Sequence, residues 1–528
     1  MLDLLVHSSL AHLFFAAGGL FWAVVLLAVA WHGLPAAPRL SLSDSTARRV
    51  FTNSAIPIAG QLVNRGVDLV FAAFTLRLLG VTGNGRYALA IIVWLYVKTL
   101  SDFGLGVLAT REVARAPERA GRLLGATTLL RLVVLGALVP AVAAYVAGSA
   151  RWSALSYDSI VAILLLCLAV IPGSLADAVN AVFNGFERMS FPALLNVLTN
   201  FSRAGFGLAV LLAGFGVIGL AAVALGTTIL SAVAFRLALR QLDITPEWRL
   251  TRAEAGWLIS ISWPLLLNAL LVNLFFRADV PIIQAEHGDQ AVGVYDAAYK
   301  FINMLLLIPA YFTLAVFPLL ARHAIHERER LMATYRLAAK LLGVIAWPVT
   351  LGTMLFAPDL IRLLAGDAFL PGSANALRIL IWFLPLSYVN GVTQYVLIAV
   401  DRQRTISVAF ALGAAFNLGA NLLLVPRFSY MASSAITVAT EAVLFVPLAI
   451  AMRRVLGNPG WLGFMGKPAL AALGMGVVEL LTYRLGPFPA FGCGLLAYAG
   501  ILVVSGTLGR TEAEIARAVV GRARPALP

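Results

Sequence analysis

Charged residues are scarce in this sequence, and their scarcity excludes most water-soluble folds. Asp, Glu, Lys and Arg together make up 12% of the 528 residues, whereas hydrophobic residues make up 61% and the mean hydropathy is +0.90. A typical soluble domain has roughly 25% charged and 45–50% apolar residues. A soluble chain of this length could not bury so much apolar surface, so the sequence indicates a protein embedded in a lipid bilayer.

Signatures of enzymes and of metal sites are also lacking. The two cysteines, Cys167 and Cys493, lie in apolar runs, which excludes a disulfide framework and a CxxC metal site. The sequence has no GxxxxGK(S/T) phosphate loop, no HExxH zinc motif and no GxSxG nucleophile elbow. No polar segment between the apolar runs is long enough for a soluble catalytic domain. We therefore expect a protein that is not an enzyme and that binds no metal or cofactor.

The sequence does contain a series of long apolar runs separated by short polar turns. A helix needs ~20 apolar residues to cross ~30 Å of hydrocarbon, so each run predicts one membrane span. The predicted fold is an all-α polytopic membrane protein with about fourteen transmembrane helices, at 52–78, 86–109, 123–147, 158–180, 192–213, 216–238, 256–283, 290–318, 338–363, 375–399, 406–426, 430–452, 467–484 and 489–508. A run at 10–32 precedes them, and it lacks the basic head of a signal peptide. It predicts either an extra helix or upstream sequence from a misassigned start.

Basic residues are distributed unevenly between the two ends of these spans, and the net charge is +14. If residue 50 is cytoplasmic, the inside segments hold 26 Lys and Arg and the outside ends hold six. Cytoplasmic loops carry such an excess, and anionic lipids attract it, so nucleic acid is not needed to explain the charge. The pattern predicts a multi-pass plasma (inner) membrane protein with a basic, cytoplasmic C-terminal tail from residue 510.

Two halves of the chain carry similar motifs. GNGRYALA, with Gly85 and Tyr87, matches AVGVYDAA, with Gly293 and Tyr295, 208 residues later. The pair Glu187-Arg188 likewise matches Asp401-Arg402, 214 residues later. The offset spans six predicted helices, so both halves enter the membrane in the same direction and form parallel repeats around a cavity. The predicted division is an extra N-terminal helix and linker (1–49), an N-lobe (50–254), a C-lobe (255–455), a final helix pair (456–509) and the tail (510–528).

At several of these motifs the sequence resembles the polysaccharide-synthesis flippases, the lipid-linked oligosaccharide branch of the MATE-like exporter superfamily. The resemblance covers about 45–455 and is carried by LLGVTGNGRYALA (78–90), LSDFGLG (100–106), TREVAR (110–115), FNGFERM (183–189), RADVPIIQAEHGDQAVGVYDAAYKF (277–301) and IPAYFTLAVFPLLAR (308–322). It implies two lobes that work by alternating access. It also implies movement of a polyprenyl-pyrophosphate-linked saccharide from the inner to the outer leaflet, beside a polysaccharide polymerase or glycosyltransferases as partners.

Basic residues inside the spans are the candidate substrate site. An ionisable side chain at mid-membrane costs about 2.5–3.5 kcal/mol on insertion scales, so such residues are rarely there without a role. Five central cations are predicted to bind an anionic head group: Arg65, Lys98, Arg203, Arg277 and Lys300. All except Arg203 lie in predicted helices one, two, seven and eight, which would line the cleft. Two further cations, Arg131 and Arg362, are interpreted as lying near helix ends and reaching the interface.

Acidic residues lie near these cations and are predicted to act as charge partners or in ion coupling. Helical spacing places three pairs on shared faces, namely Arg65–Asp68, Lys98–Asp102 and Asp296–Lys300. Asp177 and Glu441 could instead bind a coupling proton or sodium ion. Mutual neutralisation inside a packed bundle is the alternative for every pair. Asn and Gln residues in the spans could bind sugar hydroxyls, although holding helices together is the commoner role.

Other functions remain open at this stage. Within transport, the alternatives are a peptidoglycan lipid-precursor flippase and an ion-coupled multidrug exporter. A cationic cavity argues against cationic drugs, because like charges repel strongly at low dielectric. From another class, a membrane glycosyltransferase or polymerase would be expected to carry a long outside loop or an acidic metal-binding pair.

Overall fold

The computed structural model describes residues 45–152 and 155–507, and these ranges contain α-helices and short 3₁₀ turns but no strand. The α-helices are α1 (Ser45–Asp102), α2 (Leu105–Arg115), α3 (Ala120–Trp152), α4 (Tyr157–Gly185), α5 (Ser190–Leu212), α6 (Gly216–Ala238), α7 (Arg252–Arg277), α8 (Asp279–Leu305), α9 (Leu307–His326), α10 (Arg328–Leu355), α11 (Ala357–Leu364), α12 (Gly372–Leu380), α13 (Phe383–Ala399), α14 (Gln403–Leu456), α15 (Trp461–Thr482) and α16 (Pro487–Val504). The predicted run 10–32 and the tail 510–528 lie outside the described residues.

The length and apolarity of these helices confirm a polytopic α-helical membrane protein. Among the described residues, ten helices are long and apolar enough to cross a bilayer, or eleven if α12 and α13, bent by 41°, form one broken span. Three of the ten are stretches of 54 to 74 residues that join successive or kinked helices, well beyond the ~20 residues that one crossing needs. The count of fourteen spans stays a prediction. The predicted helix 290–318 is interrupted, because α8 ends at Leu305 and α9 begins at Leu307.

The chain forms two compact units. The first contains the described residues through Ala297, together with Leu364–Ala368 and Val425–Tyr430, and the second contains the other described residues. One core of the first unit joins α4, α5 and α6, where the rings of Phe183 and Phe191 lie 4.8 Å apart. A core of the second unit joins α10, α15 and α16. The predicted boundaries between lobes stay a prediction.

Helix α7 packs within the first unit, against α2 and α3. Its buried Leu258 contacts Leu105, Leu108 and Leu130. Near its C-terminal end, Asn273 Nδ2 donates a hydrogen bond to Thr99 Oγ1 of α1 at 2.7 Å. These contacts fix α7 beside the helices that carry the candidate cations.

The internal repeat predicted from the sequence is visible in the backbone. Helix α1 is broken at Gly80 (φ 66°, ψ −174°), and α8 is broken at Gly288 (φ 74°, ψ −175°), 208 residues later. Both breaks occupy the left-handed half of the backbone map, which glycine adopts without steric cost. The two copies of the motif therefore bend in the same way.

The second pair of motifs also has matching conformations. Glu187 and Asp401 both have φ 57°. The residue after each closes the same turn: Arg188 N donates to Phe183 O at 3.0 Å, and Arg402 N donates to Leu397 O at 2.8 Å. The two acidic-Arg pairs therefore follow the ends of α4 and α13 in turns of the same geometry.

The glycine motifs of the two copies meet in the first unit. A Cβ added to Gly85 would lie 1.7 Å from Asp289 O, and one added to Gly293 would lie 1.9 Å from Val81 O. Val81 and Asp289 are themselves 208 residues apart, so each copy makes the same contact with the other. Here the backbones are too close to accommodate any side chain larger than hydrogen.

We expect Gly85→Ala to destabilise the protein by about 1–3 kcal/mol, because the new methyl group must displace backbone rather than a side chain. Thermal unfolding of the detergent-solubilised protein measures this loss. Gly136→Ala in α3 is the matched control, since nothing lies within 4 Å of its added Cβ. Equal melting temperatures for the two variants would contradict the close crossing.

Candidate functional site

Two adjoining polar cavities lie inside the first unit. The larger, of about 660 Å³, lies between α1, α4 and α5, and the smaller, of about 130 Å³, extends towards α3 and α6. Asn180 and Asn196 line both. We call the two together the polar tract; its polar lining consists of Gln61, Asn64, Arg65, Asp68, Lys98, Ser101, Asp102, Thr110, Arg131, Ser174, Asp177, Asn180, Asn184, Asn196, Thr199, Asn200, Thr228 and Ser231.

Arg65 places a positive charge in the lining of the larger cavity. Its side chain is exposed and lies in the lining beside Gln61 and Asn64. No ion pair joins it to another residue in the described part of the chain. The predicted pair with Asp68 is not formed as an ion pair, because Asp68 binds a cation from another helix.

That cation is Arg203 of α5. Its Nη2 atom lies 2.8 Å from Asp68 Oδ1 and donates a second hydrogen bond to Asn200 Oδ1 at 2.7 Å. Asn200 Nδ2 in turn donates to Asn64 O at 3.1 Å. The Arg203 and Asp68 side chains keep 43% and 36% of their surface exposed, so this pair borders the cavity rather than being sealed in the bundle.

Lys98 lies in the smaller cavity and pairs across to α4. Its Nζ lies 3.2 Å from Asp177 Oδ2 and 5.5 Å from the centre of the Trp94 ring. Helical spacing predicts Asp102 as the partner of Lys98, but this prediction is wrong, because Asp102 pairs with Arg131 instead. Asp177, predicted as a coupling residue, therefore neutralises a predicted substrate cation, and both side chains remain more than a third exposed.

The interpretation of Arg131 as an interfacial residue is wrong. Its side chain is 1% exposed and donates to Asp102 Oδ1 from both Nε (3.0 Å) and Nη2 (2.8 Å). Its Nη1 also donates to the carbonyl of Ser174 at 3.4 Å. The partner carboxylate comes from α1, a contact that spacing along one helix could not indicate. Arg362, by contrast, is exposed and pairs with Asp359, as expected near a helix end.

Several buried polar atoms at the tract make no hydrogen bond within the described residues. They are Asn64 Oδ1, Thr199 Oγ1 and Arg203 Nε. A buried polar atom without a partner is costly, typically about 1–3 kcal/mol. The tract therefore has donor and acceptor capacity left for a polar ligand.

The remaining predicted cations lie elsewhere. Arg277 is half-buried at the end of α7 in the first unit, near Asp279, whose carboxylate accepts a hydrogen bond from Tyr295. Asp296 is 8% exposed and accepts from Asn84 Nδ2 at 3.2 Å. Lys300 belongs to the second unit and is half-buried. Within one unit, the structure thus brings together Arg65, Lys98 and Arg203.

Glu441 lies in a buried polar cluster of the second unit. It is 2% exposed, and its Oε2 and its backbone carbonyl both accept from Asn390 Nδ2, at 2.7 and 3.0 Å. Asn417 donates to Thr440 in the same region, so these amides hold α13 and the two parts of α14 together. No group of three or more potential metal ligands occurs among the described residues.

Sequence reasoning missed a second buried carboxylate, Glu479 of α15. It is 1% exposed, and neither carboxylate oxygen has a hydrogen-bond partner within the described chain. Gly494 of α16 lies against it so closely that an added Cβ would be 2.5 Å from Glu479 Cγ. The signal was present, because Glu479 is a lone acid in an apolar run, as Glu441 is.

Comparison with known proteins finds one matching family model over half of the chain and several solved structures with a similar fold. A family model described as "Polysaccharide biosynthesis protein" matches residues 50–324, and the MatE model matches residues 264–423. The sequence gives no significant match to curated proteins. The structure of lipid II flippase MurJ in an inward closed conformation is similar, with a TM-score of 0.72, 14% identity and coverage of 86% of this chain and 99% of that one.

Two structures of multidrug resistance MATE family transporters of the MOP superfamily are also similar. The inward-facing one has a TM-score of 0.58 and 17% identity, and the match covers 76% of this chain and 98% of the transporter chain. The outward-facing one has a TM-score of 0.50 and 18% identity, with coverage of 77% and 95%. The chain therefore has the fold of MOP-superfamily transporters.

We expect Asp102→Ala to destabilise the protein by about 3 kcal/mol, because it leaves the buried Arg131 charge unpaired. Asp177→Ala is the matched control: its pair with Lys98 is partly exposed, and a loss of less than about 1 kcal/mol is expected. Thermal unfolding of both variants measures the difference. Changing Arg131 to Met together with Asp102 to Leu should restore most of the stability, and failure of the double variant to do so would contradict this view of the pair.

Proposed function

Since the chain belongs to the polysaccharide biosynthesis protein family, we propose that it flips a polyprenyl-pyrophosphate-linked oligosaccharide from the inner to the outer leaflet of the plasma membrane. The oligosaccharide would be a repeat unit of a polysaccharide or O-antigen. The observation that carries the proposal is Arg65, which has no ion-pair partner among the described residues and lines a cavity of about 660 Å³ together with several side-chain amides and the Asp68 carboxylate.

The chemistry of the cavity suits a pyrophosphate attached to sugars. An Arg guanidinium offers a planar fork of donors that matches two phosphate oxygens. The amides of Gln61, Asn64, Asn184 and Asn196 line the same cavity and are suited to sugar hydroxyls. Several spare hydrogen-bonding atoms at the tract favour a polar cargo over an apolar one.

The two partly exposed ion pairs, Arg203–Asp68 and Lys98–Asp177, provide two further cations, each balanced by a carboxylate until cargo binds. A pair at a water-filled surface contributes only about 0–1 kcal/mol, so an incoming anion can replace its carboxylate at little cost. Arg203 and Lys98 can therefore exchange Asp68 and Asp177 for a phosphate oxygen. Arg131 cannot do so, because it is buried against Asp102 and acts as scaffold.

Arg277 and Lys300, which lie on either side of the second glycine motif, complete the proposed cation set. Their positions at the end of α7 and in α8 correspond by the repeat to positions in α1. We propose that they bind the same anionic head group at another stage of the cycle.

The rival functions differ in what they would do to the cargo. A glycosyltransferase or polymerase would change the saccharide, whereas a flippase changes only its side of the membrane. A peptidoglycan-precursor flippase would move a lipid-linked disaccharide peptide, and a drug exporter would move cations. One assay with several cargoes distinguishes the proposed function from these three rivals. We also propose that the protein works beside a polysaccharide polymerase or glycosyltransferases.

We expect Arg65→Ala to slow flipping by about 10- to 100-fold at subsaturating cargo, because a hydrogen bond to a charged group contributes about 1.5–3 kcal/mol. The assay uses the purified protein in liposomes that carry labelled polyprenyl-pyrophosphate oligosaccharide. An external glycosidase reports the cargo that has changed leaflets. Arg65→Lys keeps the charge but loses the planar fork of donors, so its flipping rate should lie between those of the wild type and Arg65→Ala.

Arg188→Ala is the matched control, because Arg188 is an exposed arginine next to Met189 of the cavity but does not line it. Normal flipping by both the Arg65→Ala and Arg277→Ala variants would overturn the proposed site. Faster flipping of a peptidoglycan precursor, efflux of a cationic dye, or a change in the saccharide's mass would instead support the respective rival.

Coupling to an ion is proposed for Glu441, the buried carboxylate hydrogen-bonded to Asn390. We expect Glu441→Gln to abolish stimulation of flipping by a proton or sodium gradient while cargo binding stays unchanged. Glu479→Gln is the control, since it removes an equally buried carboxylate from the final helix pair. Retained stimulation in Glu441→Gln would exclude Glu441 as the coupling residue.

A further inference from the structure

A third pocket, of about 760 Å³, lies in the second unit at the ends of four helices. It is formed by the end of α9, the start of α10, the end of α13 and both ends of α14. Its charged lining consists of three arginines, Arg328, Arg402 and Arg454, and one carboxylate, Asp401. The proposed transport function uses none of these residues.

The three arginines of this pocket are exposed and make no ion pair with any residue that the structure describes. Two neighbouring arginines at the same helix ends make other contacts. Arg330 lies 2.7 Å from Glu327, and Arg453 lies over the Trp461 ring at 5.5 Å. The three arginines of the pocket, in contrast, have no carboxylate partner within the described part of the chain.

The rest of the pocket wall is apolar. Ile325 is 70% exposed and Ile450 is 47% exposed, and Leu331, Pro447 and Val455 complete this side. Exposed apolar side chains beside unpaired cations match a ligand that has both an anionic group and hydrocarbon. A volume of 760 Å³ lies within the range of about 300–1,000 Å³ that small-ligand sites occupy.

The pocket lies at helix ends, where a membrane protein meets the polar headgroups. The distribution of Lys and Arg predicts that these ends face the cytoplasm, where the leaflet is rich in anionic lipid. Basic pockets between helices on this side of a membrane are suited to anionic phospholipid headgroups.

We propose that this pocket binds the headgroup of an anionic phospholipid from the cytoplasmic leaflet, held as a bound lipid rather than as cargo. Arg328, Arg402 and Arg454 bind the phosphate oxygens, and the apolar wall covers the first part of the acyl chains. Asp401 suits a headgroup with hydroxyl donors, such as phosphoglycerol, better than a bare phosphate. Inorganic phosphate shares the anionic group but would leave Ile325 and Ile450 uncovered.

The repeated acidic-Arg motif gives this pocket its arginine at position 402. Asp401 has φ 57°, and the turn it makes is closed by the bond from Arg402 N to Leu397 O. This turn ends α13 and places Arg402 at the start of α14, in the lining. The motif thus has a chemical role in the second copy.

The test compares two triple variants of the full-length protein in nanodiscs. The first changes the lining residues (Arg328→Gln, Arg402→Gln, Arg454→Gln), and the second changes their neighbours (Arg330→Gln, Arg404→Gln, Arg453→Gln). Both remove the same charge from the same helix ends. Binding of spin-labelled phosphatidylglycerol is measured against spin-labelled phosphatidylcholine, and inorganic phosphate and a soluble prenyl diphosphate serve as competitors.

We expect the lining variant to lose preference for phosphatidylglycerol by about tenfold or more, because it removes the three cations that contact the headgroup. The neighbour variant should lose less than about threefold, because its three arginines do not line the pocket. Equal losses would overturn the proposal in favour of general surface charge. Displacement of the lipid by millimolar inorganic phosphate would overturn it in favour of a free-anion site. Displacement by prenyl diphosphate at much lower concentration would assign the pocket to cargo. Wild-type protein without preference for phosphatidylglycerol would exclude the site altogether.

Discussion

Hydrocarbon offers no hydrogen-bond partner to a charged side chain, so a cation inside a helical bundle needs a carboxylate, a backbone carbonyl or an anionic ligand. In the first unit four cations meet this requirement to different degrees. Arg131 is sealed against Asp102 and a carbonyl. Lys98 and Arg203 hold carboxylates at the border of a cavity, and Arg65 has no carboxylate partner among the described residues. The degree of pairing therefore follows the degree of access to the cavity.

This gradation separates scaffold from site. Breaking a buried pair leaves an uncompensated charge at a cost of about 3–5 kcal/mol, whereas exchanging a partner at a wet surface costs little. The polar tract joins both kinds of pair, because Asn180 and Asn196 line its two cavities. The buried Arg131–Asp102 pair holds α1 against α3. The partly exposed pairs of Lys98 and Arg203 leave their cations accessible from the cavity.

The sequence predicted the helical class, the duplicated motifs and several cations of the tract, because each depends on local composition or on a fixed offset. It could not predict the ion-pair partners of Lys98, Asp68 and Asp102, which come from other helices. Spacing of three or four residues identifies a shared helix face, but it does not say which neighbouring helix covers that face. Arg131 was misplaced for this reason. Glu479 differs, because a lone acidic residue in an apolar run is a signal that the sequence itself contains.

The composition of the tract has a consequence for stoichiometry. The tract is lined by Arg65, Lys98 and Arg131 and by the carboxylates of Asp68, Asp102 and Asp177, and Arg203 pairs with Asp68 at its border. Among these described groups, four cations and three carboxylates leave a single excess positive charge. The proposed cargo, a pyrophosphate diester, would carry a negative charge on each of its phosphates, so its arrival would reverse the sign of the tract. In a low-dielectric surrounding such a residual charge is expensive. Electroneutrality during the crossing would then require a companion cation, and the cargo would move as a salt rather than as a bare anion.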